Sequence, residues 1–488
     1  MALAMLLVLC TFSLALLLYG RPEALENPSD LLCTCNKIAA AISGTSQVFS
    51  PSGPEYLFDI EHAFYSSNEA SACSVEPGSA EDVSKILCIL GSTRTPFAVK
   101  GGGHSTNPGF SLTTGVQILM SRFNQTNVNS NFGTVEVGAG LTWGQVYATL
   151  EPTGVNVVGG RVPGIGVAGL TLGGGYSYLS SQYGLTVDNV TGYELVLPNG
   201  TVTNVTSKNN DLWFGLRGGL NNFGIVTKFI FQSHPQGDIW AFFSTAEDQL
   251  DAIKEALVHF QQENDTKTSV IVFMTYTLDQ FFTSVIYFYD APTPSGVFDD
   301  FLAVPAIDGS VSRRSFSDFV QSLNSQPAFN GLPTFYNGAP VTQYSPAIFD
   351  AFVNQTKLWG ARLGSLDKNV SLISSLEPFD KSLFSHGSAS AYPPDRSHAV
   401  LPSSLTLQWS NASLDETMAY ALRNISDTIH ATALADGQNV SHAAVYVNYA
   451  LFGTPLENIY GGNVERLRKI RAGIDPEDVM GLAGGWKF

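Results

Sequence analysis

Residues 100–105, KGGGHS, and residues 159–176, GGRVPGIGVAGLTLGGGY, decide how this chain is read. Glycine lets backbone N–H groups approach a ligand with no Cβ in the way. Successive exposed amides form a nest suited to a pyrophosphate. Each loop follows a short stretch read as a strand, at 96–100 and, β-branched, at 155–158. One such loop alone is adequately explained as a tight turn, but two within 75 residues favour a dinucleotide ligand. Gly164-x-Gly166-x-x-Gly169 has the letters of a Rossmann fingerprint. That fingerprint needs a long helix opening directly after it. Here Pro163 precedes the match and no long helix follows, so the Rossmann reading is rejected.

Composition sets the frame around these loops. The chain has 488 residues, 46 of them Gly, and is 44% hydrophobic, enough for large cores and against wholesale disorder. Twenty-five basic against 42 acidic side chains give a net charge of −17. Such a balance excludes a phosphate-tracking nucleic-acid binder and an electrostatic membrane-surface binder.

Residues 1–20 contain no charged side chain and read as a secretory signal peptide, with Gly20 as the last residue before cleavage. The departure from pattern is an n-region without Lys or Arg, and the rival is an uncleaved anchor. Ten Asn-x-Ser/Thr sequons, at Asn124, Asn189, Asn199, Asn204, Asn264, Asn354, Asn369, Asn411, Asn424 and Asn439, agree with a secreted glycoprotein. Beyond Cys10 the cysteines are Cys33, Cys35, Cys73 and Cys88. Two disulfides are expected, with Cys33 and Cys35 each paired to Cys73 or Cys88. A zinc site is disfavoured because no His pair lies nearby, and no metal is expected.

Periodicity predicts a helix over 80–90, a strand at 134–137, a helix at 142–150, and a hairpin over 193–205 turning at Asn199-Gly200. Later come a helix at 247–262, strands at 269–276 and 282–289, a strand at 401–409 and a helix at 415–435. Residues 290–350 show weak periodicity, and 443–480 read as a strand, a loop and a basic helix. Strands flanked by long helices indicate an α+β layer.

The stretch from Ser71 to Gln236 resembles the FAD-binding domain of the vanillyl-alcohol-oxidase and PCMH superfamily. Within it the chain is similar to the berberine-bridge-enzyme-like oxidases, fungal secreted branch. The motifs that carry this are CSVEPGSAEDV, TPFAVKGGGHSTNPGF, the stretch from Val155 to Val190, YELVLPNGTV, DLWFGLRGGLNNFGIVT, YVNY and IYGGNVERLRKIRAGIDPEDV. Residues 237–440 match only loosely. The resemblance implies an α+β chain: a signal at 1–20, a PCMH-type FAD-binding domain at 21–236, a substrate-binding domain at 237–442 whose antiparallel sheet is covered by helices, and a C-terminal segment at 443–488 folded back on the FAD domain. It implies that His104 bonds covalently to the flavin C8 methyl group. It places Gly101, Gly102, Gly103, Ser105 and Gly109 around the pyrophosphate, and Gly169, Gly173, Gly174 and Tyr176 along the second cradle. It sets Gly224, Ile225 and Val226 on a strand lining the cofactor, with Asn448 also beside it. Bicovalent members carry Cys where this chain has Val162, and often His where it has Leu170. A single link, through His104, is therefore expected.

The activity so implied is oxidation of an alcohol on a carbohydrate or secondary metabolite, hydride passing to flavin N5 and dioxygen reoxidising the flavin to give hydrogen peroxide. Tyr449 matches the family's base, and on a strand it would share a face with Val447, opposite Tyr446 and Asn448. An unperturbed tyrosine near pKa 10 needs a lowered pKa or a relay. The strand 404–409 offers Gln408 but no acid, which leaves Gln408 to hydrogen-bond a substrate hydroxyl. Asp395 and Arg396 are read as a surface ion pair. Two other readings remain: a dehydrogenase or oxidative cyclase on the same scaffold, and a weakly active flavin-containing carbohydrate-binding protein. No nucleic acid, and no membrane in the mature form, is expected as partner.

Overall fold

The computed structural model describes residues 28–64, 70–323 and 331–488, so the signal expected at 1–20 lies outside the described residues. Helix Ala80–Thr93 forms where the apolar spacing predicts it. Val83, Ile86, Leu87 and Leu90 are fully buried, and the Ser79 side chain caps the first turn by accepting from Asp82 N–H. The helix connects two strands of a four-stranded sheet ordered Gln47–Phe49, Cys73–Glu76, Val116–Leu119, Phe97–Lys100. The last three run parallel, and parallel strands need such crossovers. Phe97–Lys100 ends directly at Gly101.

A second sheet is antiparallel, ordered Thr126–Val128, Thr134–Gly138, Ile225–Pro235, Val190–Val196, Val202–Val205, with Val155–Val157 paired to the end of Ile225–Pro235. Val135, Val137, Phe229 and Phe231 alternate inward on its two central partners and are fully buried. The third sheet has seven antiparallel strands ordered Asp308–Arg314, Ile239–Ala246, Gln280–Tyr289, Thr268–Thr277, Ser371–Leu376, Ser404–Gln408, Thr334–Gly338. Helices Pro346–Gly364 and Asp415–Ala435 cover one of its faces. Thr356 and Ser374 share a hydrogen bond of 2.7 Å there, and Asn337 donates to the Leu422 carbonyl. The other face carries Tyr336, Gly338, Ser375, Ser404, Thr406 and Gln408, and Tyr336 on it reaches His104. The α+β expectation holds, with this sheet covered by helices as foreseen.

Several local expectations are corrected. Residues 290–350 hold two strands, Asp308–Arg314 and Thr334–Gly338, and the start of the 19-residue helix Pro346–Gly364. That helix escaped the periodic reading because Thr356 and Gly360 interrupt its apolar stripe. The space at Gly360 is taken by the Tyr276 ring. The helix expected at 247–262 is the shorter Leu250–Phe260. At the 197–201 turn Gly200 N–H donates to the Leu197 carbonyl (2.8 Å), so Pro198 and Asn199 are the central pair; neither is left-handed, only the following Gly200 is (φ +85°), and the turn is therefore not of a primed type. The left-handed pair occurs instead at Leu278 and Asp279 (φ 50° and 59°), between the strands Thr268–Thr277 and Gln280–Tyr289.

Among the described residues one disulfide forms, Cys35–Cys73, with Cα atoms 6.3 Å apart. It ties helix Pro28–Ala41 to the first sheet. A closed loop of this length is worth roughly 3–4 kcal/mol in the chain-entropy model. Cys33 and Cys88 are free and exposed, so the second bridge is not made. Residues two apart on a helix point about 200° from each other, and only Cys35 faces inward.

Candidate active site

The two glycine loops meet backbone to backbone. A Cβ on Gly102 would overlap the Gly166 nitrogen, and one on Gly166 would overlap the Gly102 nitrogen. Only a glycine at each position permits this approach. Gly101 stands 3.3 Å, measured from where its Cβ would be, from the Ala139 carbonyl; Ala139 N–H in turn donates to the Thr227 carbonyl. Gly224, Ile225 and Val226 lead into Thr227, so the start of that strand lies behind the first loop. The amides of Gly101, Gly102, Gly103, Ala168 and Gly169 find no acceptor among the described residues. Open space lies over Gly164 and Gly169. Unpaired amides converging on open space fit a pyrophosphate.

The rest of the second loop is held by aromatic side chains. Gly159 and Gly160 lie flat on the Trp143 ring, and Tyr147 OH donates to the Gly160 carbonyl (2.9 Å). Asn448 fills the space over Gly173 and donates to the Leu170 carbonyl (3.2 Å) and to Tyr446 OH (2.8 Å). Asn448 thus braces the cradle. Gly174 packs on the Tyr392 ring, and buried Tyr176 lies 3.3 Å from Tyr392 OH. In the first loop, Ser105 follows His104, and Gly109 carries its chain past Gly484. Asn107 ties this loop to the C-terminal segment, donating to the Ala450 carbonyl and accepting from Phe452 N–H, both at 2.9 Å.

His104 is half-buried, with the Phe64 ring perpendicular to its own (centroids 5.0 Å apart) and the Tyr336 ring nearly parallel (6.5 Å). Burial pulls its pKa down to about 4. The imidazole is therefore neutral at physiological pH, with a nitrogen lone pair free for bond formation. Beyond Tyr336 lies Tyr449, ring centroids 6.4 Å apart. The Tyr336 ring thus stands between those of His104 and Tyr449.

The segment carrying Tyr449 is not the expected strand. Tyr449 N–H and Ala450 N–H both donate to the Tyr446 carbonyl, so 446–450 is a tight turn. A turn puts Tyr446 and Tyr449 side by side, ring centroids 4.9 Å apart, whereas a strand would have opposed them. Tyr449 OH donates to Glu377 Oε1 (3.0 Å) and accepts from Arg161 Nη2 (2.8 Å). Arg161 and Glu377 form a buried ion pair at 2.7 Å. Ser375 Oγ and Tyr344 OH add hydrogen bonds to the Glu377 side chain and amide. Burial, reinforced by the Glu377 charge, pushes the Tyr449 phenol well above its ordinary value.

A carboxylate does reach Tyr449, but from outside the strand 404–409, which offers none. Glu377 comes from the strand end just after Ser371–Leu376, next to the strand first considered. A lone charge in SSLEPF, closing an apolar run, is the signal in the sequence that marks it. Gln408 lies on the cleft-facing side of the sheet but four residues from Ser404. Its amide contacts Thr334 Oγ1 (3.4 Å), away from the Tyr449 network. Asp395 and Arg396 do not pair. Arg396 and Arg217 both bind buried Asp188 at 2.7 Å, while Asp395 binds Ser397. Beside Tyr449, the cleft is walled by Tyr176, Tyr392, Tyr446, Ala339, Pro340, Val400 and Pro402.

A family model described as an FAD binding domain matches residues 71–206, and one described as berberine and berberine like matches 445–483. The FAD-dependent monooxygenase tpcD of Cochliobolus heterostrophus is 31% identical over 496 residues, covering 93% of this chain and 94% of that protein. The FAD-dependent monooxygenase FUP4 of Fusarium proliferatum is 31% identical over 435 residues, covering 84% and 83%. Among solved structures, BBE-like 1 of Physcomitrella patens superposes with a TM-score of 0.74 at 22% identity, over 92% of this chain and 97% of that one. A xylooligosaccharide oxidase from Myceliophthora thermophila, solved with xylobiose, gives 0.72 at 18%, over 93% and 99%. At those identities the solved structures speak for the fold alone. The near full-length sequence relationship, joined to the paired glycine loops and the shared fold, makes this chain a member of the berberine-bridge-enzyme-like family of FAD-dependent oxidoreductases.

Proposed function

We propose that this protein oxidises an alcohol group of a small organic or carbohydrate substrate, with dioxygen as final acceptor and hydrogen peroxide as product. The bound flavin supplies the hydride acceptor, N5. The observation that carries the reading is the Tyr449–Glu377–Arg161 network, whose tyrosine lines the cleft and is linked to His104 through the Tyr336 ring. Tyr449 keeps its proton at any physiological pH, because burial and Glu377 disfavour the phenolate. It therefore acts as a relay. Its oxygen takes the substrate hydroxyl proton while its own proton passes along the existing hydrogen bond to Glu377. Arg161 holds both partners in place. Peroxide release across a panel of sugars, benzylic alcohols and polycyclic alcohols tests this, and silence across the panel with no flavin bleaching overturns it.

The apolar and tyrosine-rich wall of the cleft supports a second reading, a dehydrogenase or oxidative cyclase acting on a secondary metabolite. Flavin bleaching by substrate without peroxide in air distinguishes it. The weakly active carbohydrate-binding alternative rested on a missing acid, and Glu377 removes that ground.

The flavin attachment is assigned to His104 alone, since Val162 offers no thiol. In the wild type, colour is expected to stay with acid-precipitated protein. In His104→Ala it is expected in the supernatant, and retained colour there overturns the assignment.

The protein is also proposed to be secreted and N-glycosylated. Eight sequon asparagines are exposed and Asn424 is half-buried. Asn189 is buried and donates to the Tyr183 and Leu185 carbonyls while His234 holds its oxygen. Peptide mass spectrometry after enzymatic deglycosylation is expected to find no modified Asn189.

A further inference from the structure

Lys100 is a buried cation outside the relay. It is the last residue of strand Phe97–Lys100 and 7% exposed. Its Nζ donates to the carbonyls of Phe58 (3.3 Å), Asp59 (2.9 Å) and Glu61. The first two belong to helix Pro54–Ile60, whose C-terminal carbonyls favour a cation; the Phe58 carbonyl also accepts from Glu61 N–H (3.3 Å). The stem of Lys100 runs beneath Gly103, where an added Cβ would stand 2.8 Å from Cε. The chain leaving the helix then crosses the loop. Ala63 N–H donates to the Gly103 carbonyl (3.1 Å), and His62 is fixed through Ser111 Oγ (2.9 Å) and the Ile60 carbonyl (2.9 Å). Phe64, following Ala63, is 1% exposed, and its ring stands perpendicular to those of His104 (centroids 5.0 Å apart) and Tyr336 (5.9 Å). Residues 58–64 are thus a strap, tied at one end by Lys100 and touching the His104 imidazole at the other.

We propose that Lys100 is a positioning residue for His104: by anchoring the 58–64 strap it holds Phe64 against the imidazole in the orientation that covalent flavin attachment requires. The inference rests on the assignment of His104 as the attachment residue. A ring free to rotate would present its nitrogen to the flavin methyl group only part of the time. Loss of near-attack geometry of this kind costs up to about 100-fold in rate.

Lys100→Met keeps the stem and removes the three hydrogen bonds. The variant is expected to bind FAD, while the share of that FAD surviving acid precipitation falls about tenfold or more. Phe64→Leu, which leaves the lysine tie intact, is expected to do the same. The flavin-independent readout is the ring signal of His104 in histidine-labelled protein, assigned with His104→Ala. One sharp resonance in the wild type should shift or broaden in both variants. If Lys100→Met folds and both readouts match wild type, the proposal is overturned. If it does not fold, Phe64→Leu decides, and unchanged values in that variant overturn it. Should acid release all flavin from the wild type, the attachment assignment fails. The resonance comparison still decides whether Lys100 positions His104.

Discussion

Glu377→Gln is expected to slow reduction of the bound flavin by about 10²- to 10⁴-fold, the usual range for losing a positioned acid–base group. The substitution preserves shape and can still contact Tyr449 and Ser375. It replaces the basic carboxylate that takes the tyrosine proton by an amide that does not. Because Tyr449 is held protonated by its surroundings, it has no other outlet within the network. Anaerobic stopped-flow bleaching with the best alcohol of the panel measures the rate. Tyr449→Phe is expected to cost as much, and the double variant little more, since residues acting as one unit are non-additive. Glu377→Gln also leaves Arg161 as a buried cation without its partner, a change that typically costs about 3–5 kcal/mol. Combining it with Arg161→Met should recover stability but not rate. A Glu377→Gln enzyme that bleaches at the wild-type rate ends the relay account.

Gly102→Ala is expected to empty the cradle. The new methyl group has no free volume, because the Gly166 backbone occupies its place. The loops must part, at an overpacking cost of about 1–3 kcal/mol or more, and the amides of Gly101–Gly103 and Ala168–Gly169 then no longer converge. The predicted outcome is a purified protein with less than about a tenth of the wild-type FAD content, since each 1.4 kcal/mol is tenfold in affinity. Gly237→Ala, outside both loops and at a position where an added Cβ meets no atom of the protein, serves as the control. Full FAD occupancy in Gly102→Ala would show that the contact between the loops is dispensable.

The legible part of this protein is what its chain encodes locally. The amphipathic helices Ala80–Thr93 and Asp415–Ala435, the alternating strands around Val135 and Phe229, and the glycine density of the loops all follow from short-range pattern. Helix Pro346–Gly364 was not legible, because its buried face includes a threonine bonded to a strand and a glycine seated on a tyrosine ring. Those contacts exist only after the sheet has formed.

The candidate site divides the same way. By itself the sequence determined that two glycine loops, the first running into His104, accompany a tyrosine segment of a recognisable flavoprotein pattern, and that the second loop carries Val162 and no cysteine. It could not say that Arg161, Glu377 and Tyr449, separated by 216 and 72 residues, form one hydrogen-bonded cluster. Nor could it say that Tyr446 and Tyr449 stand together, because that depends on whether residues 446–450 extend or turn. The turn is settled by what those residues pack against, Gly338 on one side and the Gly173–Gly175 segment on the other. Backbone torsions and apolar spacing act over a few residues, whereas the charge partners of a buried tyrosine come from whichever distant segments share its cavity.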